Sequence, residues 1–355
     1  MRRLALLLVL LPLCLLPVGG CWNAREVNDL AIITAAGIDR TEDGRIELSV
    51  KIYLTSPTGS DGGQMSGQPS SDKGTSVVRS ATGINMADAA SRLQKMVSRT
   101  VFWGQTEVFL IGQRLARNGI EAPMDFLIRH FASRERSLVF VSEGTAKDVL
   151  LLSPPIDRSV AEALIAMAEH QTGPNITLKE LAQMLVGKSG AAVLPIVRIN
   201  PVRDKQAAFP YIEGTAVFKD GRMIGELNEQ ATRGVMWLRN EMKQATVTVT
   251  PDDSGGYVSL HLLRNHTRLL PRIEDGRWIM IVRITGQDDI VENTTALDLS
   301  EPDHIGKVEE ALERLVEDRV KYALELAQKE YRADIFRFAG AFWRKYPKIW
   351  KANAD

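Results

Sequence analysis

The thiol of Cys21 is the side chain in this sequence whose surroundings best suit covalent chemistry. Cys21 follows the tripeptide Val18-Gly19-Gly20, which ends a mostly apolar N-terminal stretch. Small residues let an extended chain enter a signal peptidase, and the cysteine thiol is the one nucleophile available there to take a thioether-linked diacylglycerol. We therefore predict that residues 1–20 are a lipoprotein signal peptide. Cys21 would become the new N-terminus and carry an S-diacylglycerol and an N-acyl group.

The residues before Cys21 support this prediction. Two arginines follow Met1, and the apolar run from Leu4 to Leu16 is shorter than the roughly 20 residues of a transmembrane helix. The ending, Val18 to Cys21, resembles a bacterial lipobox. Two acyl chains give stable anchoring, because each buried methylene contributes roughly 0.8 kcal/mol. The alternative is a plain secretory signal beside an inert cysteine.

Other side chains that bind metals or attack substrates lack a suitable pattern. Cys14, the second cysteine, lies inside the apolar run, so a mature chain would keep one thiol and form no intramolecular disulfide. No histidine pair has HxxxH or HExxH spacing. His261 and His266 are five residues apart in a predicted strand, and we expect them on opposite faces. We predict no metal site at any histidine: His130, His170, His261, His266 or His304.

Motifs for catalysis and for cofactors are missing from the sequence as well. It contains no GxSxG nucleophile elbow, no GxxxxGK[ST] phosphate loop and no GxGxxG after a strand. We therefore predict neither an enzyme nor a bound cofactor. Lysine and arginine number 44, as do aspartate and glutamate. This balance offers no basic excess to bind nucleic acid.

Residue patterning in the first part of the chain predicts a mixture of strands and helices. Two strands are expected around the turn at Asp43-Gly44, followed by a flexible Gly/Ser/Pro-rich loop at 56–76. Helices and strands then alternate, with Thr145 and Thr177 as helix caps. We place a domain boundary at 200–201, which gives an N-terminal α/β region of one or two subdomains from 21 to 200.

The second part of the chain, 201–355, has a different pattern. It predicts a hairpin around Asp220-Gly221, a short helix, and separate strands at 244–250, 257–264, 267–273 and 277–286. From Pro302, apolar residues at helical spacing predict one amphipathic helix of about 28 residues. The predicted fold class is α+β and multi-domain, with mixed or antiparallel sheets, packed helices and this long helix near the C-terminus.

Aromatic and basic residues crowd the stretch 334–350, "DIFRFAGAFWRKYPKIW". One interpretation is a peripheral membrane contact with aromatic rings at the level of the headgroups. The interpretation that we favour is a short helix whose aromatic side chains pack on the C-terminal sheet.

Four segments together resemble the C-subunit lipoproteins of bacterial spore germinant receptors. The first, 21–54, holds Cys21-Trp22, Arg25-Glu26 and Gly37-Ile38-Asp39. The others are "LIGQRLARNGIEAPMDFLIRHFASRERSLVFVSEGTAKDVL", "EGTAVFKDGRMIGELNEQATRGVMWL" and "ADIFRFAGAFWRKYPKIW". Ala339 stands where glycine is common in the family. Family members usually continue past the final tryptophan into a basic strand, whereas this sequence ends five residues after Trp350.

The resemblance implies a non-enzymatic function in nutrient-triggered spore germination. It implies two integral-membrane partners, the A-type and B-type receptor subunits. It places the chain as a lipid-anchored protein at the outer face of the cell or spore inner membrane. Only the function of Cys21 carries over residue by residue.

Two other functions fit a lipoprotein signal. A substrate-binding lipoprotein of a membrane importer would show two lobes with parallel sheets, which the strand-rich region 244–286 argues against. A lipid-anchored hydrolase would need a nucleophile or metal motif, and none is present.

Overall fold

The computed structural model describes residues 29–53, 76–130, 134–170, 172–200, 208–243, 245–251 and 255–353. Within these residues the chain is a mixed α+β protein, as predicted. A large mixed sheet and a smaller antiparallel sheet are covered by helices. None of the helices in these ranges is long and apolar enough to cross a membrane.

The large sheet has nine strands in the order β3-β2-β1-β5-β6-β7-β8-β9, with β4 also paired to β1. Its four adjacent central strands, β1, β5, β6 and β7, run parallel, and the flanking strands are antiparallel. The strands are β1 (Leu30–Arg40), β2 (Ile46–Tyr53), β3 (Ser76–Gly83), β4 (Thr100–Phe102), β5 (Val108–Gly112), β6 (Leu138–Ser142), β7 (Ala191–Asn200), β8 (Phe209–Lys219) and β9 (Arg222–Leu227).

Ten α-helices of the described part of the chain lie on the two sheets. They are α1 (Met86–Lys95), α2 (Gln113–Asn118), α3 (Glu121–His130), α4 (Ala146–Leu151), α5 (Val160–Glu169), α6 (Leu178–Leu185), α7 (Glu229–Leu238), α8 (Pro302–Glu325), α9 (Phe338–Lys345) and α10 (Pro347–Asn353). A π-helical segment, Leu326–Glu330, extends α8. The predicted long helix from Pro302 is confirmed. The predicted caps Thr145 and Thr177 are also confirmed, because each accepts a backbone N–H in the first turn of its helix.

The central strands are mostly apolar because both faces of the sheet are covered. In β5, Phe109 and Ile111 face a core shared with α1, α3, α6, α7 and α8. Val108 and Leu110 face a second core that α4 and α5 cover. Successive strand residues point to opposite faces, so one short apolar segment contributes to both cores.

The smaller sheet consists of β10 (Thr246–Val249), β11 (Val258–Glu274) and β12 (Arg277–Asn293). The separate strands predicted at 257–264 and 267–273 are wrong, because β11 is continuous across them. A bulge between Leu262 and Arg264 shifts the side-chain alternation, so that Leu262 and Thr267 are both buried. His261 and His266 each precede one of these buried residues and therefore share a face, contrary to the prediction.

The predicted hairpins at Asp43-Gly44 and Asp220-Gly221 are confirmed. Strand β3 was not predicted, and 56–75 of the predicted loop lie outside the described residues. The proposed boundary at 200–201 falls between β7 and β8, which pair in one sheet. The division into two domains stays a prediction.

Candidate functional site

The carboxylate of Asp39 joins the end of β1 to the start of α4. One oxygen accepts the Ala146 N–H at 2.8 Å and the other accepts the Lys147 N–H at 3.0 Å. Asp39 is only 5% exposed. Gly37 allows this contact, because a Cβ at its position would lie 2.9 Å from the Ala146 Cβ. The Gly-Ile-Asp motif thus provides close approach at its first residue and a helix cap at its third.

Burial raises the pKa of the Asp39 carboxyl from its ordinary 3.8 to about 6. The hydrogen bonds from the two amides act in the opposite direction, but they do not offset the loss of solvent. The nearby carboxylates of Glu47 and Asp148 raise this pKa further. The Asp39 carboxyl therefore changes its charge near pH 6, at the contact between β1 and α4.

A buried lysine holds the other end of α4. The Lys51 Nζ donates hydrogen bonds to the carbonyl oxygens of Leu150 and Leu152, at 2.8 and 2.9 Å. Lys51 is 5% exposed, and burial lowers the pKa of its ammonium group. A carboxylate thus meets the N-terminus of α4 and a cation meets its C-terminus, which is the arrangement that the helix dipole favours. Both side chains come from the β1–β2 hairpin.

A cleft of about 640 Å³ opens at the carboxyl ends of β1 and β5, beside Asp39. Helix α2, which follows β5, lies on one face of the sheet, and α4, which follows β6, lies on the other face. Such a change of side opens a crevice at the carboxyl edge of parallel strands. The charges that line it have both signs, with Arg114 and Arg117 from α2 and Glu42 and Glu47 from the β1–β2 hairpin.

The neighbouring end of β7 carries a group of ion pairs around Arg198. Its guanidinium lies 3.3 Å from carboxylate oxygens of Glu213 and Glu226, and it also pairs with Glu143. Glu226 in addition accepts a hydrogen bond from the Gln113 amide at 2.9 Å. These contacts tie β7, β8 and β9 to the loop after β6 and to α2.

The polar groups at this edge therefore pair mainly with one another. No group of three or more His, Cys, Asp or Glu side chains able to hold a metal lies within the described ranges. The arrangement can fix the relative positions of strands and helices, and it can present charges of both signs to a partner.

Cys21, which is predicted to carry the lipid, and the lipobox residues Val18, Gly19 and Gly20 lie outside the described residues. Their function stays a prediction. The described chain begins at the exposed Asp29, just before β1. That position is the amino edge of the parallel strands, opposite the Asp39 cleft.

The C-terminal motif folds against the β11–β12 hairpin. Asp334 accepts the N–H groups of Phe338 and Ala339 at 3.0 and 2.7 Å and so caps α9. The Trp278 ring contacts Phe342 and Trp350 edge-on, with ring centroids 4.9 and 5.7 Å apart. Packing of these aromatic side chains on the C-terminal sheet is therefore confirmed.

Sequence reasoning missed Lys51, Arg198 and the capping function of Asp39. In the sequence, Lys51 looks like an ordinary polar residue of an alternating strand. Arg198 looks like a single charged residue near the end of a strand. The Gly37-Ile38-Asp39 motif was the available signal for Asp39. Its partner α4 is 107 residues away, so local patterning cannot reveal the contact.

The fold thus defines a mixed α+β protein in which a nine-stranded sheet and a long hairpin share their covering helices. A family model described as "Spore germination protein N-terminal domain" matches residues 23–199. A second, described as "Spore germination B3/GerAC like, C-terminal", matches residues 213–355. The chain belongs to this family of spore germination proteins, as its four sequence segments predict.

Individual relatives align with nearly the whole chain. Spore germination protein KC of Bacillus subtilis is 27% identical, over 100% of this chain and 91% of that protein. Spore germination protein B3 of the same organism is 22% identical, over 95% and 88%. The crystal structure of the GerBC protein covers 89% of both chains with a TM-score of 0.51 and 18% identity, which shows a shared fold.

Proposed function

We propose that this chain is a lipid-anchored, non-enzymatic subunit of a nutrient-sensing germinant receptor that is needed to trigger spore germination. The observation that carries the proposal is the family match on both sides of the 200–212 segment. The relatives named as spore germination proteins also align over most of their own length. These homologues support a role in spore germination.

The position of Asp29 suits attachment at Cys21. Asp29 is the eighth residue after Cys21, and an extended chain spans at most about 3.5 Å per residue, so the anchor point lies within about 28 Å of Asp29. Anchoring would confine the folded part to a thin layer at the outer face of the spore inner membrane. That confinement raises its effective concentration for A-type and B-type membrane subunits, so each contact can be weak.

The ion pairs at the carboxyl edge support a structural function for that site. Arg198 contacts three carboxylates, and both oxygens of Asp39 accept backbone hydrogen bonds. Contacts of this kind fix the relative positions of the segments that carry them.

Deletion of the gene, in a strain without redundant receptors, tests the function directly. We expect loss of germination in response to at least one nutrient, with recovery on complementation. Co-purification of the tagged chain from detergent-extracted membranes should also recover two integral-membrane proteins. Normal germination of the deletion strain to every nutrient tested would refute the proposal.

Substitution of the two cysteines tests the anchor. Cys21→Ser should leave the chain without its lipid. Any chain of this variant that has lost its signal peptide should therefore no longer partition into the detergent phase. Cys14→Ser is the matched control, because it removes the other thiol from a segment that is predicted to be cleaved off. If processed Cys21→Ser still partitioned with the membrane like the natural chain, the anchor would be wrong.

A further inference from the structure

Positive charge is concentrated at the C-terminal end of this electrically balanced chain. Residues 332–353 hold six lysine and arginine side chains against one aspartate. The distal hairpin, 268–283, adds four arginines against two acidic residues. Because the whole chain has no net formal charge, this end is a local basic region on a neutral protein.

Apolar side chains are exposed within this region. Trp343 and Ile349 are each 42% exposed, and Val186 on the adjoining loop is 86% exposed. The ammonium of Lys188 lies 5.8 Å from the centre of the Trp343 ring. We call Lys188, Trp343, Arg344, Lys348 and Ile349 the basic aromatic surface.

The helices that carry this surface are fixed in place. The Trp278 ring packs against Phe342 and Trp350, on the sides of α9 and α10 that face the hairpin. The Lys345 Nζ donates a hydrogen bond to the Pro271 carbonyl at 2.8 Å. A rigid, amphipathic surface loses little conformational entropy when it docks.

The basic aromatic surface lies at the edge of the molecule from which the N-terminal segment leaves. Lys188 comes three residues before β7 begins at Ala191, so Trp343 is at the amino end of β7. Strand β7 is parallel to β1, and β6 and β5 lie between them. Three strand spacings are about 14 Å. The point where β1 begins and the basic aromatic surface therefore face the same side.

We propose that the basic aromatic surface docks on the headgroups of anionic phospholipids, as a second membrane contact beside the acyl anchor. This inference rests on the proposed anchoring at Cys21, which would hold the amino edge within about 28 Å of the bilayer. Tryptophan rings and basic side chains together suit the interface, where one part is apolar and the other is solvated. Each lysine or arginine near an anionic surface strengthens binding about fivefold.

Fluorescence quenching of the reconstituted full chain tests the docking. The chain is purified from a spore-forming host and placed in vesicles of phosphatidylglycerol or of phosphatidylcholine, with a quencher on the lipid headgroups. A dye is attached to Ala352→Cys, at the end of α10, or to Glu42→Cys at the opposite edge as a control. We expect at least threefold stronger quenching at position 352 in phosphatidylglycerol than in phosphatidylcholine, and no difference at position 42.

Charge reversal adds a matched comparison. Arg344→Glu combined with Lys348→Glu should weaken docking by on the order of 25-fold or more and abolish the difference between lipids. Arg45→Glu combined with Arg114→Glu changes the same amount of charge at the carboxyl edge and should leave the quenching unchanged.

The outcomes separate docking from anchoring. Equal quenching at position 352 in the two lipids would overturn the docking proposal. Quenching that survives the Arg344 and Lys348 reversals would overturn it as well. Flotation with phosphatidylglycerol vesicles alone would support docking and refute the acyl anchor, whereas flotation with both vesicle types supports the anchor.

Discussion

The buried carboxyl of Asp39 should make the stability of this protein depend on pH in an unusual direction. Its pKa is about 6 in the folded chain and 3.8 in its ordinary state. Between these pH values the folded state binds more protons than the unfolded state, so stability falls as pH rises. Asp39→Asn removes the titrating group but keeps a side chain of the same shape.

The size of the effect follows from the shift of the pKa. A pKa difference of about two corresponds to roughly 3 kcal/mol, at about 1.4 kcal/mol for each pKa unit. The natural chain should lose nearly all of this stability between about pH 4 and about pH 7.5. The free energy of unfolding of Asp39→Asn, minus that of the natural chain, should therefore rise by about 2–3 kcal/mol over this range. Solvent screens this carboxyl little, because Asp39 is 5% exposed.

Urea unfolding at four or five pH values measures this difference. The other titrating groups are the same in both chains, so their contributions cancel in the subtraction. The denaturant slope must stay constant for the comparison to hold. Parallel pH profiles would show that Asp39 titrates with an ordinary pKa. A difference that falls as pH rises would show that the two amide hydrogen bonds outweigh burial, and it would refute the reasoning.

Three further substitutions, one of them a control, test how helices are held. In α7, a Cβ at Gly234 would lie 2.1 Å from the Arg319 carbonyl oxygen, whereas one at Gly306 in α8 would meet nothing within 4 Å. Gly234→Ala should therefore lower the free energy of unfolding by about 1–3 kcal/mol. Gly306→Ala should raise it by up to about 1 kcal/mol. Equal effects of the two substitutions in urea unfolding would contradict this packing. Lys51→Met leaves two buried carbonyl oxygens at the end of α4 without their donor and should cost about 1–3 kcal/mol. An unchanged unfolding midpoint would show that those carbonyls find other donors.

Features that depend on local patterning could be predicted from the sequence. The Asp220-Gly221 turn is one example, since both residues have positive φ, 49° and 71°, in the hairpin that joins β8 and β9. The long helix from Pro302 is another, because its apolar stripe repeats at helical spacing over its whole length. The helix caps Thr145 and Thr177 also depend only on residues within one turn.

Features that depend on distant residues could not be predicted. Strand β1 pairs with β5, about 70 residues further along the chain, and neither segment contains a sequence signal that identifies the other as its partner. Strand β3 was missed because its eight residues include serine, threonine and glycine and look like part of the preceding loop. The continuity of β11 was missed because the bulge after Leu262 breaks the alternation that marks a strand.

The sequence by itself determined the family, the predicted lipid attachment at Cys21 and the α+β class, because each depends on residue types in short contiguous segments. Only the tertiary structure decided where the side chains of Asp39, Lys51 and Trp343 lie. The folded sheet brings a carboxylate and an ammonium from one hairpin to the two ends of α4. It also sets a half-exposed tryptophan at the edge where β1 begins. Burial and proximity are properties of the folded chain, and they turn these ordinary side chains into a helix clamp and a candidate membrane contact.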